Sequence, residues 1–375
     1  MKFVTLKENL KQGLTIVSHL TSKNINLPIL NNILIKAKKE GVELTATNLE
    51  ISINHFLRGK IEKEGEFTVD AKIINEYIAL LPEDKIEVEL LEEELKIECQ
   101  NYKTKIKGQF SNDFPVLPKI DQSDFFSFEI NSFKEALSSV AFSVSNNENR
   151  IELSGVYFSF NEENLVLVGT DSYRLSEKTI KLKNKKNNDF KKNIIVPVKT
   201  IQELIRILSN FKTEDQIEAE DEIRIYLTEN QIFFSFGLTN ISSRIIIGNY
   251  PDYKQIIPQN EKTTVIINKA SFVRAVKASG LFSKTGINDI NLNFIKNKIL
   301  ISSSSSQAGE NFIEMNATIK GADNEIFINY KYLLEGLNNI NSDNIIMKVI
   351  DNNTPCIIKA EKEDDFLYLV MPIKQ

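Results

Sequence analysis

Phe67-Thr68-Val69-Asp70-Ala71 is a short run of strand-forming type, and Ile73, Tyr77 and Leu80-Leu81 follow it at helical spacing. The same phrase returns as Ile194-Ile195-Val196-Pro197-Val198 before Ile201, Leu204, Ile205 and Leu208. It returns again as Ile326-Phe327-Ile328-Asn329-Tyr330 before Leu333, Leu334 and Leu337. The period is roughly 130 residues, well beyond that of solenoid repeats. The repeating unit is therefore a whole domain.

Three further blocks share this period. A strand-into-helix block opens each repeat: Phe3-Val4-Thr5 before Leu6, Leu10, Leu14 and Val17; Phe126 to Ile130 before Phe133, Leu137 and Val140; Val265-Ile266-Ile267 before Phe272, Ala275 and Val276. Thr5 with Glu8 and Ser132 with Glu135 fit capping boxes, and Asn268 is an N-cap. Next comes a strand with a polar ending: Val42 to Asn48, Leu165 to Asp171 and, more weakly, Ile299 to Ser304. Alternating strands close each repeat, at Ile86–Cys99, Ile223–Phe236 and Ile345–Val370. Each repeat thus holds two helices and two groups of antiparallel strands, an α+β domain with helices on one face. Linkers fall at Pro115–Ser123 and Tyr250–Lys262, giving domains 1–122, 123–253 and 254–375. The tracts Lys181–Lys192 and Ser302–Ser306 read as surface loops.

Composition narrows the chemistry. Of 375 residues, 42% are hydrophobic and 26% charged, and the mean hydropathy is −0.21, an ordinary soluble balance. No apolar run approaches the roughly 18 residues of a membrane span. The first residues carry an early acid and no apolar core, so no signal peptide is expected. Cys99 and Cys356 cannot build a disulfide framework, which favours a reducing cytoplasm. The two histidines, His19 and His55, read as structural or surface residues, and no metal-ligand spacing or cofactor-binding phosphate loop is present. An enzyme would have to hide in a polar cluster such as Asp171 with Arg174, but no nucleophile or second titratable partner lies at a readable spacing. The net charge of −5 weighs against holding nucleic acid by bulk electrostatics. A scaffold with no nucleic-acid role stays open.

Five short stretches, taken with the threefold repeat, carry a resemblance. They are Leu27-Pro28-Ile29-Leu30-Asn31-Asn32, Thr47-Asn48-Leu49-Glu50, Thr170 to Leu175, Tyr250-Pro251-Asp252-Tyr253 and Tyr368 to Ile373. In order and spacing the chain resembles the bacterial DNA polymerase III beta subunits, the sliding clamps, over its whole length. The resemblance implies three clamp-type domains in a head-to-tail homodimeric ring around double-stranded DNA. It implies no catalysis and no cofactor. The implied partners are the DNA polymerase III catalytic subunit, the clamp loader and other proteins with a clamp-binding motif.

A sliding ring needs a modest positive lining and no base readout. Lys7, Lys11, Asn24, Lys134, Arg150, Lys199, Arg206, Arg274 and Lys277 are the expected DNA-facing residues. Acids gather instead in turns such as Glu92-Glu93-Glu94. The alternative for the lysines is the plain polar face of amphipathic helices. Carried over by motif, the family's peptide groove would use Leu153, Thr170, Ser172, Tyr173, Arg174, Leu175, Pro251, Ile256, Leu369, Val370, Met371 and Pro372. Tyr173 and Gln255 depart from the family's usual histidine and arginine. The dimer interface would place Leu281 and Phe282 against Thr104 and Ile106 of the partner.

Overall fold

The computed structural model describes residues 1–21, 27–118, 124–145, 149–185, 191–211 and 221–374. Six helices occur among them: α1 (Lys7–Ser18), α2 (Ala71–Leu80), α3 (Ile130–Ala141), α4 (Val198–Ser209), α5 (Lys269–Gly280) and α6 (Tyr330–Asn338). Each follows the strand that the repeat pattern sets before it: Lys2–Leu6, Gly65–Asp70, Phe126–Phe128, Lys192–Pro197, Thr263–Asn268 and Asn324–Asn329. Most apolar positions that define the pattern are buried, such as Leu10, Leu14 and Val17 on α1 and Phe272 and Val276 on α5, but α2 buries Ala71, Ile74 and Ile78 and leaves the expected Ile73 and Leu80 exposed.

Two caps differ from expectation. Helix α1 starts at Lys7 behind Leu6, and the Thr5 hydroxyl instead donates to the Arg58 carbonyl at 2.8 Å. Helix α3 starts at Ile130, which leaves Ser132 inside its first turn. Asn268 does cap α5, accepting from the Ser271 amide at 3.0 Å. Asp70 and Asn329 cap α2 and α6 in the same way, at 2.8 and 3.0 Å.

The chain divides into two compact units. The first comprises Met1–Ile130, Lys183–Asn187 and Ser209–Ile245, and the second Asn131–Leu182, Asn188–Leu208 and Ile246–Gln375. The described strands of the first unit form one 14-stranded antiparallel sheet. Its central seam joins Thr239–Arg244 of the second repeat to Ile51–Leu57 of the first, with Ile241 opposite Ile53. Within the first repeat the two strand groups fuse, because Tyr102–Gln109 pairs with Glu94–Cys99 and, through Gly108 and Gln109, with Gly65–Asp70. Only glycine fits there: a Cβ on Gly108 would lie 2.1 Å from the Thr68 carbonyl oxygen.

The second unit holds a nine-stranded and a four-stranded sheet. The nine-stranded sheet has an equivalent seam, where Arg174–Lys181 of the second repeat pairs with Phe366–Val370 of the third and Leu175 faces Leu369. The serine tract is not a loop. Strand Lys298–Ser305 runs through it, paired with Gly309–Asn316, because serine hydroxyls tolerate a half-exposed face and the ladder bonds are made by backbone. Part of the Lys181–Lys192 tract is also ordered, since Asn184 pairs with Ser127; residues 186–190 lie outside the described residues.

Candidate functional site

The candidate groove is built on the turn between strands Asn164–Thr170 and Arg174–Lys181. The Thr170 hydroxyl donates to the Arg174 carbonyl at 2.6 Å and accepts from the Ser172 amide at 3.2 Å. Asp171 Oδ1 accepts from the amides of Tyr173 (2.9 Å) and Arg174 (3.0 Å). These bonds hold Ser172 at φ 78°, a left-handed conformation that costs a non-glycine residue about 1 kcal/mol or more. Asp171 is spent on the turn, so it has the geometry of a buttress rather than of a general base.

The first unit repeats this turn bond for bond. Thr47 donates to the Ile51 carbonyl at 3.0 Å, Leu49 N donates to Thr47, and Asn48 Oδ1 accepts from Glu50 and Ile51. Leu49 sits at φ 75°. Beyond each turn the seam continues alike, with Arg244 N donating to the Glu50 carbonyl and Met371 N to the Tyr173 carbonyl.

Arg174 is enclosed. Its Nε meets Asp171 Oδ2 at 3.0 Å, Nη1 is paired with Glu335 of α6, and Nη2 donates to the Phe142 carbonyl at 2.8 Å. The guanidinium lies 4.5 Å from the Tyr332 ring centre and 5.5 Å from that of Phe142. Burial alone would lower its pKa, but Glu335 and Asp171 outweigh that and hold the charge more firmly. Tyr173, well exposed, stacks on Tyr332 at 6.5 Å.

The expected groove residues separate into a floor and a rim. Leu153, Leu175, Leu369 and Val370 are all at most 2% exposed, and Pro372 is also buried. Leu175 and Leu369 pack with Val168, Tyr253 and Ile357, whereas Val370, on the opposite face of its strand, belongs with Tyr368 to the core of the third repeat. Tyr253, part of the 3₁₀ turn Tyr253–Ile256, covers them and donates to Glu177 at 2.5 Å. Burial first, and then that bond, push its phenol pKa up. Pro251, Ile256, Ser172 and Tyr173 are exposed around this floor, Met371 is half-buried and Thr170 is buried. The sequence reading missed Tyr253 and Tyr332; the tyrosine of the quoted Tyr250–Tyr253 stretch was the available signal for the first.

The expected DNA-facing residues fare unequally. Lys11, Lys199, Arg274 and Lys277 are exposed on α1, α4 and α5, and Lys134 is half-buried on α3. Arg206 is paired with Glu203 at 2.9 Å, and Arg150 with Glu152 at 3.2 Å and Ser172 at 2.9 Å. Lys7 does not face outward: it is buried and paired with Glu83, because as the first residue of α1 its side chain folds back over the loop after α2. Asn24 lies outside the described residues. Among those residues no cluster of His, Cys, Asp and Glu is placed to hold a metal, and no helix is long and apolar enough to cross a membrane.

Among the open strand edges of the described residues, two stand at corresponding places in the repeats. Tyr102–Lys107 bonds only to Glu94–Cys99, and Gly309–Asn316 only to Lys298–Ser305. On the first edge Ile106 points into its own domain and Thr104 is half-buried, while Tyr102 is exposed. In the first unit Ile73 and Leu80 leave α2 apolar on its outer side; in the second, Leu281 and Phe312 are 75% and 65% exposed and Phe282 is half-buried. The exposure of Ile73, Leu80 and Phe312 was not expected from sequence: helical spacing assigns Ile73 and Leu80 to a core, and Phe312 lies on a strand that the sequence pattern did not mark.

Three family models match in order: the N-terminal domain at residues 1–118, the central domain at 127–252 and the C-terminal domain at 254–374 of the DNA polymerase III beta subunit. The beta sliding clamp of Staphylococcus epidermidis is 28% identical over 364 residues, 94% of each chain. That of Staphylococcus aureus is 28% identical over the same length. The solved DNA polymerase sliding clamp of Bacillus subtilis is 27% identical with a TM-score of 0.93, covering 100% of this chain and 99% of that one. The repeated turn, the two equivalent seams and these matches along almost the entire chain have one reading: the chain belongs to the DNA polymerase III beta subunit family.

Proposed function

We infer that this chain is a DNA polymerase processivity factor, a non-catalytic sliding clamp that works as a head-to-tail homodimeric ring on duplex DNA. The observation that carries the ring is a missing seam. The first repeat's strand Ile51–Leu57 joins the last strand of repeat two, and repeat two's Arg174–Lys181 joins the last strand of repeat three. By the same rule the third repeat's Gly309–Asn316 should join the last strand of a first repeat, and both those edges are open. A partner copy supplies the missing strand, and the operation closes as a twofold dimer. Lys103, Lys105 and Lys107 line one edge and Glu310 and Glu314 the other; Lys103, Lys105 and Glu314 are paired within the chain to Glu98, Glu94 and Lys298, which leaves Lys107 and Glu310 as the pair of opposite sign for the partner. Leu281, Phe282 and Phe312 then meet Thr104, Tyr102 and the apolar side of α2, and Ile106 supports the edge from inside.

The repeats 1–122, 123–253 and 254–375 are the three domains of the half-ring. Lys11, Lys134, Arg150, Lys199, Arg206, Arg274 and Lys277 supply sequence-independent phosphate contact. Partners, the polymerase catalytic subunit and clamp loader among them, dock by short peptides in the groove rimmed by Ser172, Tyr173, Pro251, Ile256 and Met371. Its floor is Leu153, Leu175 and Leu369, with Val370 backing the strand from the third repeat's core and Thr170 and Pro372 holding the walls. A solved sliding clamp of Pseudomonas aeruginosa, 25% identical, is bound to griselimycin, which supports a ligand-accepting surface on this fold. The place of work is the cytoplasm, where the chromosome is copied.

Sedimentation at micromolar concentration should report about twice 42.8 kDa, and Leu281→Asp should halve it. The protein loaded on nicked circular DNA should be retained and should run off once the circle is cut. Retention on linear DNA with free ends would mean gripping rather than encirclement.

A further inference from the structure

The groove's arginine has no surface to spare for a ligand. Its side chain is 10% exposed, and each terminal nitrogen and Nε already has a partner within the chain. Those partners come from three separate places: Asp171 in the turn, Phe142 just past α3, and Glu335 on α6. The residue therefore joins the turn to the helix that carries Tyr332, and Tyr173 stacks on that ring. Helix α6 is seated by neighbouring contacts of the same kind. The Tyr368 hydroxyl donates to the Tyr332 carbonyl at 2.8 Å, and Gly336 lets the helix close on the Tyr368 ring, where a Cβ would lie 2.1 Å away.

We propose that Arg174 is a positioning residue of the peptide groove: by tying Asp171 to Glu335 it fixes Tyr173 and Tyr332 as a paired aromatic wall, and it reads no charge on the peptide itself. The role rests on the groove reading above. Its physical basis is pre-organisation. Two aromatic walls on different elements bind well only if their spacing is set before the ligand arrives. A lysine keeps the charge but cannot span two carboxylates and a carbonyl with a planar fork.

The test uses two fluorescein-labelled peptides cut from the polymerase's clamp-binding segment, identical except that one flanking residue is Asp in one and Asn in the other. Affinity is read by anisotropy on the full-length dimer. Arg174→Lys and Glu335→Gln should each weaken both peptides by about fivefold or more, and the double variant should be little worse than Arg174→Lys alone, since both cut one tie. The ratio of the two peptides' affinities should stay at its wild-type value in every variant. Glu335 is half exposed and away from the floor, so Glu335→Gln should keep the wild-type melting temperature and dimer, and it carries the test should Arg174→Lys fold poorly. Unchanged affinity in Glu335→Gln overturns the proposal. So does a shift in the Asp-to-Asn ratio confined to Arg174→Lys, which would make Arg174 a direct contact. Failure of the wild-type protein to bind either peptide would remove the groove, and this role with it.

Discussion

Lys7 and Lys11 stand four residues apart on α1, and periodicity alone gives them one face. They end up doing different things. Lys11 is exposed, whereas Lys7 is 4% exposed and paired with Glu83, 76 positions along the chain. Nothing local announces that partner, so the difference was not legible in sequence. It makes a sharp comparison. Lys11→Ala should reduce the slope of log affinity against log salt for duplex DNA by roughly one unit, and Lys7→Ala should leave it unchanged. An equal loss in both would mean that Lys7 abandons Glu83 in the complex. Arg174 teaches the same lesson. As an arginine beside an apolar groove it reads as a cation on the rim, and only the fold reveals that Glu335 and Phe142 occupy it.

At the scale of elements, the strand-into-helix phrases were legible because they rest on burial periodicity, which the fold has to respect. Capping was less so. Thr5 and Ser132 have the right chemistry, but the helices begin elsewhere because Leu6 and the strand before it fix the entry. The serine tract misled for a related reason: Ser302 to Ser305 have a loop's composition, yet the ladder to Gly309–Asn316 makes them strand. Helix α6 offers a prediction at this scale. Gly336 has no conformational need for glycine, since it lies in the last turn of α6 without a positive φ, and inside a helix alanine is ordinarily preferred by about 1 kcal/mol. Gly336→Ala should nevertheless destabilise, by about 1–3 kcal/mol, because its Cβ would overlap the buried Tyr368 ring. Urea midpoints would show it; a rise in stability would mean that α6 can slide away from Tyr368 without loss. The helix should also carry Tyr332 with it, so peptide affinity should fall in the same variant.

For the molecule as a whole, continuity depends on the seam between Thr239–Arg244 and Ile51–Leu57, since it makes one sheet of two repeats. His55 sits in that seam. Sequence gave it only a place in a strand-like run; the fold makes it a buried residue opposite Thr239, its Nδ1 2.9 Å from the Thr239 hydroxyl. It lies beneath α1, where a Cβ on Gly13 would be 2.9 Å from the imidazole ring. Burial pushes its pKa down from 6.5 to about 4, so the folded protein keeps it neutral. The unfolded chain takes up a proton there between pH 6.5 and 4, and the folded chain does not. Stability therefore falls as the pH drops through that window, with the full contribution present above 6.5 and none further lost below about 4. The difference of about 2.5 pKa units corresponds to about 3 kcal/mol. His55→Asn keeps a donor for Thr239 and removes the titration. Urea midpoints of the wild-type protein should drop between pH 7 and 4.5, and those of His55→Asn should drop distinctly less, from a lower starting value. Parallel pH curves for the two proteins would assign the acid sensitivity to carboxylates elsewhere and leave the seam indifferent to pH.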